Sequence, residues 1–378
     1  MTPEAQTEAH DFADGSFDEQ ADEQLGALHL PAERRLVTQP YDLSVKGLTS
    51  DIDSGSLILG VEYQRRFVWD NTKASRLVES LLLNVPIPVL YFAEDDSGRH
   101  EVIDGLQRLT TLQRFMNGQF SLSGLTVLDE LNGRPIDGLD PRDRRRLENR
   151  TIRCIVITED SNPDIKFDVF ERLNTGSAQL TNQELRNAIY RGELNESLKE
   201  LAQAEEFTSI LGNSRNTRME LEELVLRFFA LRDGTEDYRP PLRQFLNVFM
   251  RGNRTMSLGD EQRRVFQETC QVVGQVLGAN PYRTPGGTAV NRAFFDAIMI
   301  PFAAADHAQL RQRAPEVRDA VLGLFENEDF VKSIGRATAD KQRLISRISK
   351  VAEALRTSGV EVGPLPASVS ADQVETTS

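Results

Sequence analysis

Glu101-Val102-Ile103-Asp104-Gly105-Leu106-Gln107-Arg108-Leu109-Thr110-Thr111 joins a strand-like run to a helix-like one. Apolar, β-favouring residues run into a glycine, and Leu106, Leu109, Leu112 and Met116 then recur at helical spacing, so a strand hands over to a helix at Gly105. A helix starts with N–H groups that lack intrahelical partners and with the positive end of its dipole, which together favour an anion such as phosphate. Glycine at the junction lets a ligand approach the backbone closely. Arg108 falls in the first turn, where a cation is electrostatically unfavourable, so its guanidinium calls for an anionic partner. A nucleotide phosphate matches its fork of donors. The same residues also fit a plain capping box, with Asp104 as N-cap and Gln107 at the third helical position. The two readings are compatible.

Outward from this junction, Val89 to Ala93 and His100 to Ile103 read as a hairpin around the turn-forming Glu94-Asp95-Asp96-Ser97-Gly98. Upstream, Tyr41 to Val45 reads as a strand, Lys46 to Ser54 as a short helix closed by Gly55, and Leu57 to Val61 as extended. A helix from Thr72 to Leu83 stops at Asn84-Val85-Pro86-Ile87-Pro88, because proline cannot continue it. Downstream come a helix over 140–149, a strand over Ile152 to Ile157, and a helix over 164–173. Thr181 and Glu184 then form a capping box for the next helix. Beyond Glu193 only amphipathic helical runs follow. The expected class is α+β: an acidic tail over 1–35, an α/β domain over 36–193, a helical domain over 194–356 and a tail over 357–378.

The chain has 378 residues and a formal charge of −14, but that charge is unevenly placed. Twelve of its 58 acidic residues lie in 1–33 and 357–378, which hold no lysine or arginine, so the body is nearly neutral. Both tails are poor in aliphatic residues and are expected to be disordered. No run of about 20 apolar residues offers a membrane span, and the N-terminus is acidic where a signal peptide is basic, so a cytoplasmic location is expected. Cys154 and Cys270 sit in apolar runs and read as buried free thiols; four scattered histidines give no zinc pattern.

Three further segments carry chemistry. Gln64-Arg65-Arg66 either sends an arginine toward the anion of Arg108 or is a solvated basic turn beside Phe67 and Trp69. Asn174-Thr175-Gly176-Ser177 could present N–H groups as an anion nest, or be only a turn. Arg142, Arg144, Arg145 and Arg146 crowd one short helix, where they read as a solvated face or as contacts to a DNA backbone. No helix-turn-helix or zinc finger is apparent.

Taken together, Tyr63-Gln64-Arg65-Arg66-Phe67-Val68-Trp69, Asp104-Gly105-Leu106-Gln107-Arg108-Leu109-Thr110-Thr111, and Phe170 to Gly176 leading to Leu180 to Asn187 resemble the DGQQR-motif N-terminal domain of GmrSD-type, modification-dependent restriction systems. Leu106 stands where that family usually has glutamine. The resemblance covers about Tyr41 to Asn187 and implies a ParB/sulfiredoxin-like fold, nucleotide binding and NTP hydrolysis with Mg²⁺, with GTP, ATP and CTP not distinguished. It also implies a setting of defence against foreign or modified DNA. Carried over, Asp104, Gln107 and Arg108 would be the catalytic or phosphate-contacting set, with Asp104 orienting Mg²⁺ or the attacking water. Gln64, Arg65, Gly105, Thr111 and Asn174 would contact the nucleotide. A sulfiredoxin-type reductase would need a cysteine in this loop, and there is none. Fuller family members carry an HNH nuclease domain; no His-Asn-His arrangement follows Asn187, so a separate HNH subunit is an expected partner, alongside DNA and a second copy of the chain. The alternatives are a non-hydrolysing, nucleotide-gated binding module for that nuclease, and a stand-alone nuclease.

Overall fold

The computed structural model describes residues 36–59, 67–95, 97–173, 180–211, 216, 218–233, 238–336 and 338–366. Most of both tails, and Gln64, Arg65 and Asn174, lie outside these residues. The chain divides into two compact units, one ending at Leu180 and the other beginning at Thr181.

The first unit holds a five-stranded mixed sheet: β1 (Thr38–Ser44), β2 (Leu57–Ile58), β3 (Leu90–Glu94), β4 (His100–Asp104) and β5 (Thr151–Ile157). Their order is β1-β5-β3-β4-β2. β1 runs antiparallel to β5 and β3 antiparallel to β4, whereas β5 with β3 and β4 with β2 are parallel pairs. Among the described residues five helices accompany it: α1 (Val45–Ser54), α2 (Asn71–Leu82), α3 (Leu106–Met116), α4 (Pro141–Glu148) and α5 (Pro163–Leu173). Side chains alternate across a strand, so Leu90, Phe92, Val102, Ile152, Cys154 and Val156 share a core with Leu48 of α1, Leu77 and Leu81 of α2, Leu109 and Leu112 of α3, and Leu147 of α4. α5 packs against β4 and contributes the buried Phe167 and Phe170.

The β3–β4 hairpin is fastened at Asp95, whose Oδ1 accepts hydrogen bonds from the Ser97 N–H (3.0 Å), the Ser97 hydroxyl (2.8 Å) and the Arg99 N–H (2.9 Å). Cys154 and Cys270 are both buried free thiols, as their apolar settings predict, and burial pushes the Cys154 thiol up to about 12.

The second unit is helical among its described residues: α6 (Asn182–Ile189), α7 (Glu193–Ala202), α8 (Glu205–Thr208), α9 (Glu220–Asp233), α10 (Leu242–Gly252), α11 (Asp260–Leu277), α12 (Arg292–Ala304), α13 (His307–Gln312), α14 (Ala314–Gly323), α15 (Glu328–Gly335) and α16 (Lys341–Thr357). A 3-10 turn over Ser209–Leu211 follows α8. α6 opens on the expected capping box of Thr181 and Glu184. α12 is apolar around its whole circumference, as suits a helix at the centre of a bundle, and α9, α11 and α16 pack against it.

Within that apolar helix sits one carboxylate, Asp296, fully buried. Arg227 of α9 grips both its oxygens (2.9 and 2.5 Å) and Arg347 of α16 takes one at 3.0 Å. Beside it Glu223 meets Arg186 of α6 at 3.2 Å, and Arg186 also donates to Asn247 (2.8 Å) and Gln183 (3.1 Å).

Candidate functional site

Why α3 begins where it does is decided by Gly105. Its φ of 103° lies in the left-handed region, and a Cβ built there would sit 2.1 Å from Leu90 Cδ2, so strand and helix meet too closely for a side chain. Gly105 itself is the N-cap and makes no side-chain cap. Asp104 therefore stays in β4, paired with Tyr91, and the expected Asp104–Gln107 capping box does not form. The physical reason is that the left-handed turn moves the cap one residue on from Asp104, which frees its carboxylate to reach along the helix.

That carboxylate meets Arg108: Nη2 donates to Asp104 Oδ2 at 2.7 Å. The guanidinium is turned inward, with Nη1 donating to the carbonyls of Pro88 and Val89 just before β3. Burial lowers the Arg108 pKa, and the charge of Asp104 opposes the shift. The pair is asymmetric: the Arg108 side chain is 10% exposed, that of Asp104 30%. Asp104 Oδ1 makes no hydrogen bond among the described residues.

Gln107 turns the other way. Its Oε1 accepts from the main-chain N–H groups of Val68 (3.1 Å) and Trp69 (3.4 Å), pinning the segment that follows Gln64-Arg65-Arg66 onto α3. Phe67 stacks under the Arg114 guanidinium at 4.3 Å and Trp69 under the Lys73 ammonium at 4.8 Å, which fixes that segment further. Thr111 is fully buried, its hydroxyl donating to the Gln107 carbonyl at 2.7 Å. The buried face of α3 is accordingly broader than the leucine spacing implies: Gln107, Arg108 and Thr111 are buried, whereas Leu106 and Met116 are only half-buried.

Asp104, Gly105, Gln107 and Arg108 thus come together at one end of β4. The residues missed by sequence reasoning are Pro88 and Val89, which act through carbonyl oxygens and leave no side-chain signature. Among the described residues no group of three or more His, Cys, Asp and Glu side chains is placed to hold a metal. A magnesium ion fits here only with one carboxylate, Asp104, and with phosphates and water as its remaining ligands, an arrangement common for Mg²⁺. The arginines of α4 lie apart in sequence and role: Arg142, Arg145 and Arg146 are exposed, and Arg144 bridges Asp137 (2.8 Å) and Glu148 (3.0 Å). No helix of the described residues is long and apolar enough to cross a membrane.

Comparison with curated proteins and with solved structures gives no match. The family model of the GmrSD restriction endonuclease, N-terminal domain, matches residues 45–191, a span that includes the Asp104–Arg108 turn and extends through α6. Such a domain implies a component of a restriction, anti-phage system. Residues 45–191 of this chain are thus similar to the GmrSD restriction endonuclease N-terminal domain.

Proposed function

We propose that the protein is the NTP-binding and NTP-hydrolysing subunit of a restriction system that senses foreign or modified DNA in the cytoplasm and acts with a separate nuclease. The observation that carries this reading is the β4–Gly105–α3 turn. A helix N-terminus suited to phosphate lies beside a carboxylate that a buried arginine holds by one oxygen only. Asp104 Oδ1 then orients the attacking water or a cation that enters with the triphosphate. Magnesium, when bound, would neutralise charge developing on the phosphate oxygens. Gln107, tied to Val68 and Trp69, positions the segment that follows Gln64 and Arg65, and Arg108 fixes the rotamer of Asp104.

The test is a panel of GTP, ATP and CTP with Mg²⁺. Turnover of at least one is expected, falling by at least about a hundredfold in the Asp104→Ala protein. Turnover unchanged in that variant would overturn the assignment of the site. Nucleotide affinity without turnover would select the second reading, a nucleotide-gated module that docks the nuclease; neither affinity nor turnover would end both.

A further inference from the structure

We infer that the outer faces of α2 and α4 form a contact surface for the phosphate backbone of double-stranded DNA. The two helices pack against each other and turn their apolar sides to one core, with Ala74, Leu77, Val78 and Leu81 from α2 and Leu147 from α4. Their opposite sides are basic. On α4, Arg142, Arg145 and Arg146 are exposed at spacings of three and four, which places them on one helical face. None of the three makes an ion pair with a described residue, whereas Arg144 is engaged by Asp137 and Glu148. Like charges at this spacing destabilise a helix. The helix dipole compensates Arg145 and Arg146 in the last turn, but it opposes Arg142 in the first. An external anion would relieve all three.

α2 supplies a second, independent half. Lys73 and Arg76 are exposed three residues apart, and the only acid of the helix, Glu79, is buried, its Oε1 accepting from the N–H groups of Val127 and Leu128 at 2.9 Å each. Five exposed cations therefore lie on neighbouring helices; the acids beside them are Asp70 and Asp140, N-caps bonded to the main-chain N–H groups of Lys73 and Arg142, the half-buried Asp143, the buried Glu79 and the engaged Glu148. In a body that is nearly neutral overall, such a local concentration makes a positive patch. Arginine forks match phosphate oxygens, and a row of them suits a regularly spaced backbone better than a single small anion. Only the choice of DNA among polyanions rests on the proposed role in restriction; the surface itself rests on charge, exposure and packing.

The experiment is titration of a short fluorescent duplex with the full chain across a salt series. Replacing Arg142, Arg145 and Arg146 together by alanine should weaken binding about tenfold or more and flatten the slope of log affinity on log salt by nearly 3, at about 0.9 for each phosphate left without its arginine. The same three positions changed to lysine should keep most of the slope, which separates lost charge from a lost fold. Arg144→Ala should leave it nearly unchanged. A wild-type protein that does not bind duplex, or a triple alanine variant with undiminished slope, would overturn the surface. Equally tight, equally sensitive binding to heparin, single-stranded RNA or anionic vesicles would overturn DNA as its partner. Nucleotide turnover in the triple variant should match that of the unmodified protein, so failure here is distinguishable from failure of the Asp104 site.

Discussion

Each unit of the molecule holds an aspartate gripped by arginine, and the two pairs are built to opposite ends. Asp296 in the helical unit is fully buried, with Arg227 on both its oxygens and Arg347 on one. Asp104 in the sheet unit gives one oxygen to Arg108 and leaves the other free at 30% side-chain exposure. Arginine burial is common to both, so it does not by itself mark a site. What differs is whether the carboxylate has capacity left over and can be reached from solvent. The closed cluster is structural; the open one has the means to meet a ligand.

The largest effect is expected at Asp296. Asp296→Ala would leave Arg227 and Arg347 buried without their shared counter-charge, and removing one partner of a buried pair costs about 3–5 kcal/mol. Urea unfolding of the full chain at neutral pH checks this. A cost below about 1 kcal/mol would show that packing around α12, rather than the ionic centre, holds the helical unit.

Acid should loosen the same unit through Glu223. Burial would raise its pKa, but Arg292, Arg186 and Arg227 together outweigh that and hold it at about 2, against an ordinary 4.5. A depressed carboxyl contributes stability that is complete above its unfolded value and is lost as pH falls toward the folded one. Thermal midpoints should therefore drop between about pH 4.5 and pH 2, and the drop should be shallower in Glu223→Gln. An identical acid profile in the two proteins would remove Glu223 from the account.

How much of this is legible in the sequence depends on how local the cause is. The hairpin, the strand-to-helix handover at Gly105 and the Thr181–Glu184 cap follow from neighbouring residues, and each is present. Arg108 in a first turn does need an anionic partner, yet the chain supplies that partner itself in Asp104, four residues earlier. Its other contacts, the carbonyls of Pro88 and Val89, are main-chain atoms set by the fold of a distant proline turn, and no side-chain pattern announces them. The Asp296 centre is invisible in the sequence for a related reason. Arg227, Asp296 and Arg347 are separated by 69 and 51 positions, and each looks like an ordinary polar interruption of its own helix.

The smallest effect on stability is expected at Asp104, and it sharpens the contrast most. In Asp104→Asn the charge is lost, but an amide oxygen can still accept from Arg108, whose other contacts to the carbonyls of Pro88 and Val89 remain. Water can reach the partly exposed side chain, so the cost should stay within about 1.5 kcal/mol, well under that of Asp296→Ala. Nucleotide turnover, by contrast, should fall sharply, because a neutral amide is a poor base toward water and a weak ligand for a hard cation. Urea midpoints and turnover measured on the same preparation separate the two outcomes. Should Asp104→Asn destabilise the fold as severely as Asp296→Ala while turnover per folded molecule holds, Asp104 is a second structural brace, and the open end of β4 is not where the chemistry lies.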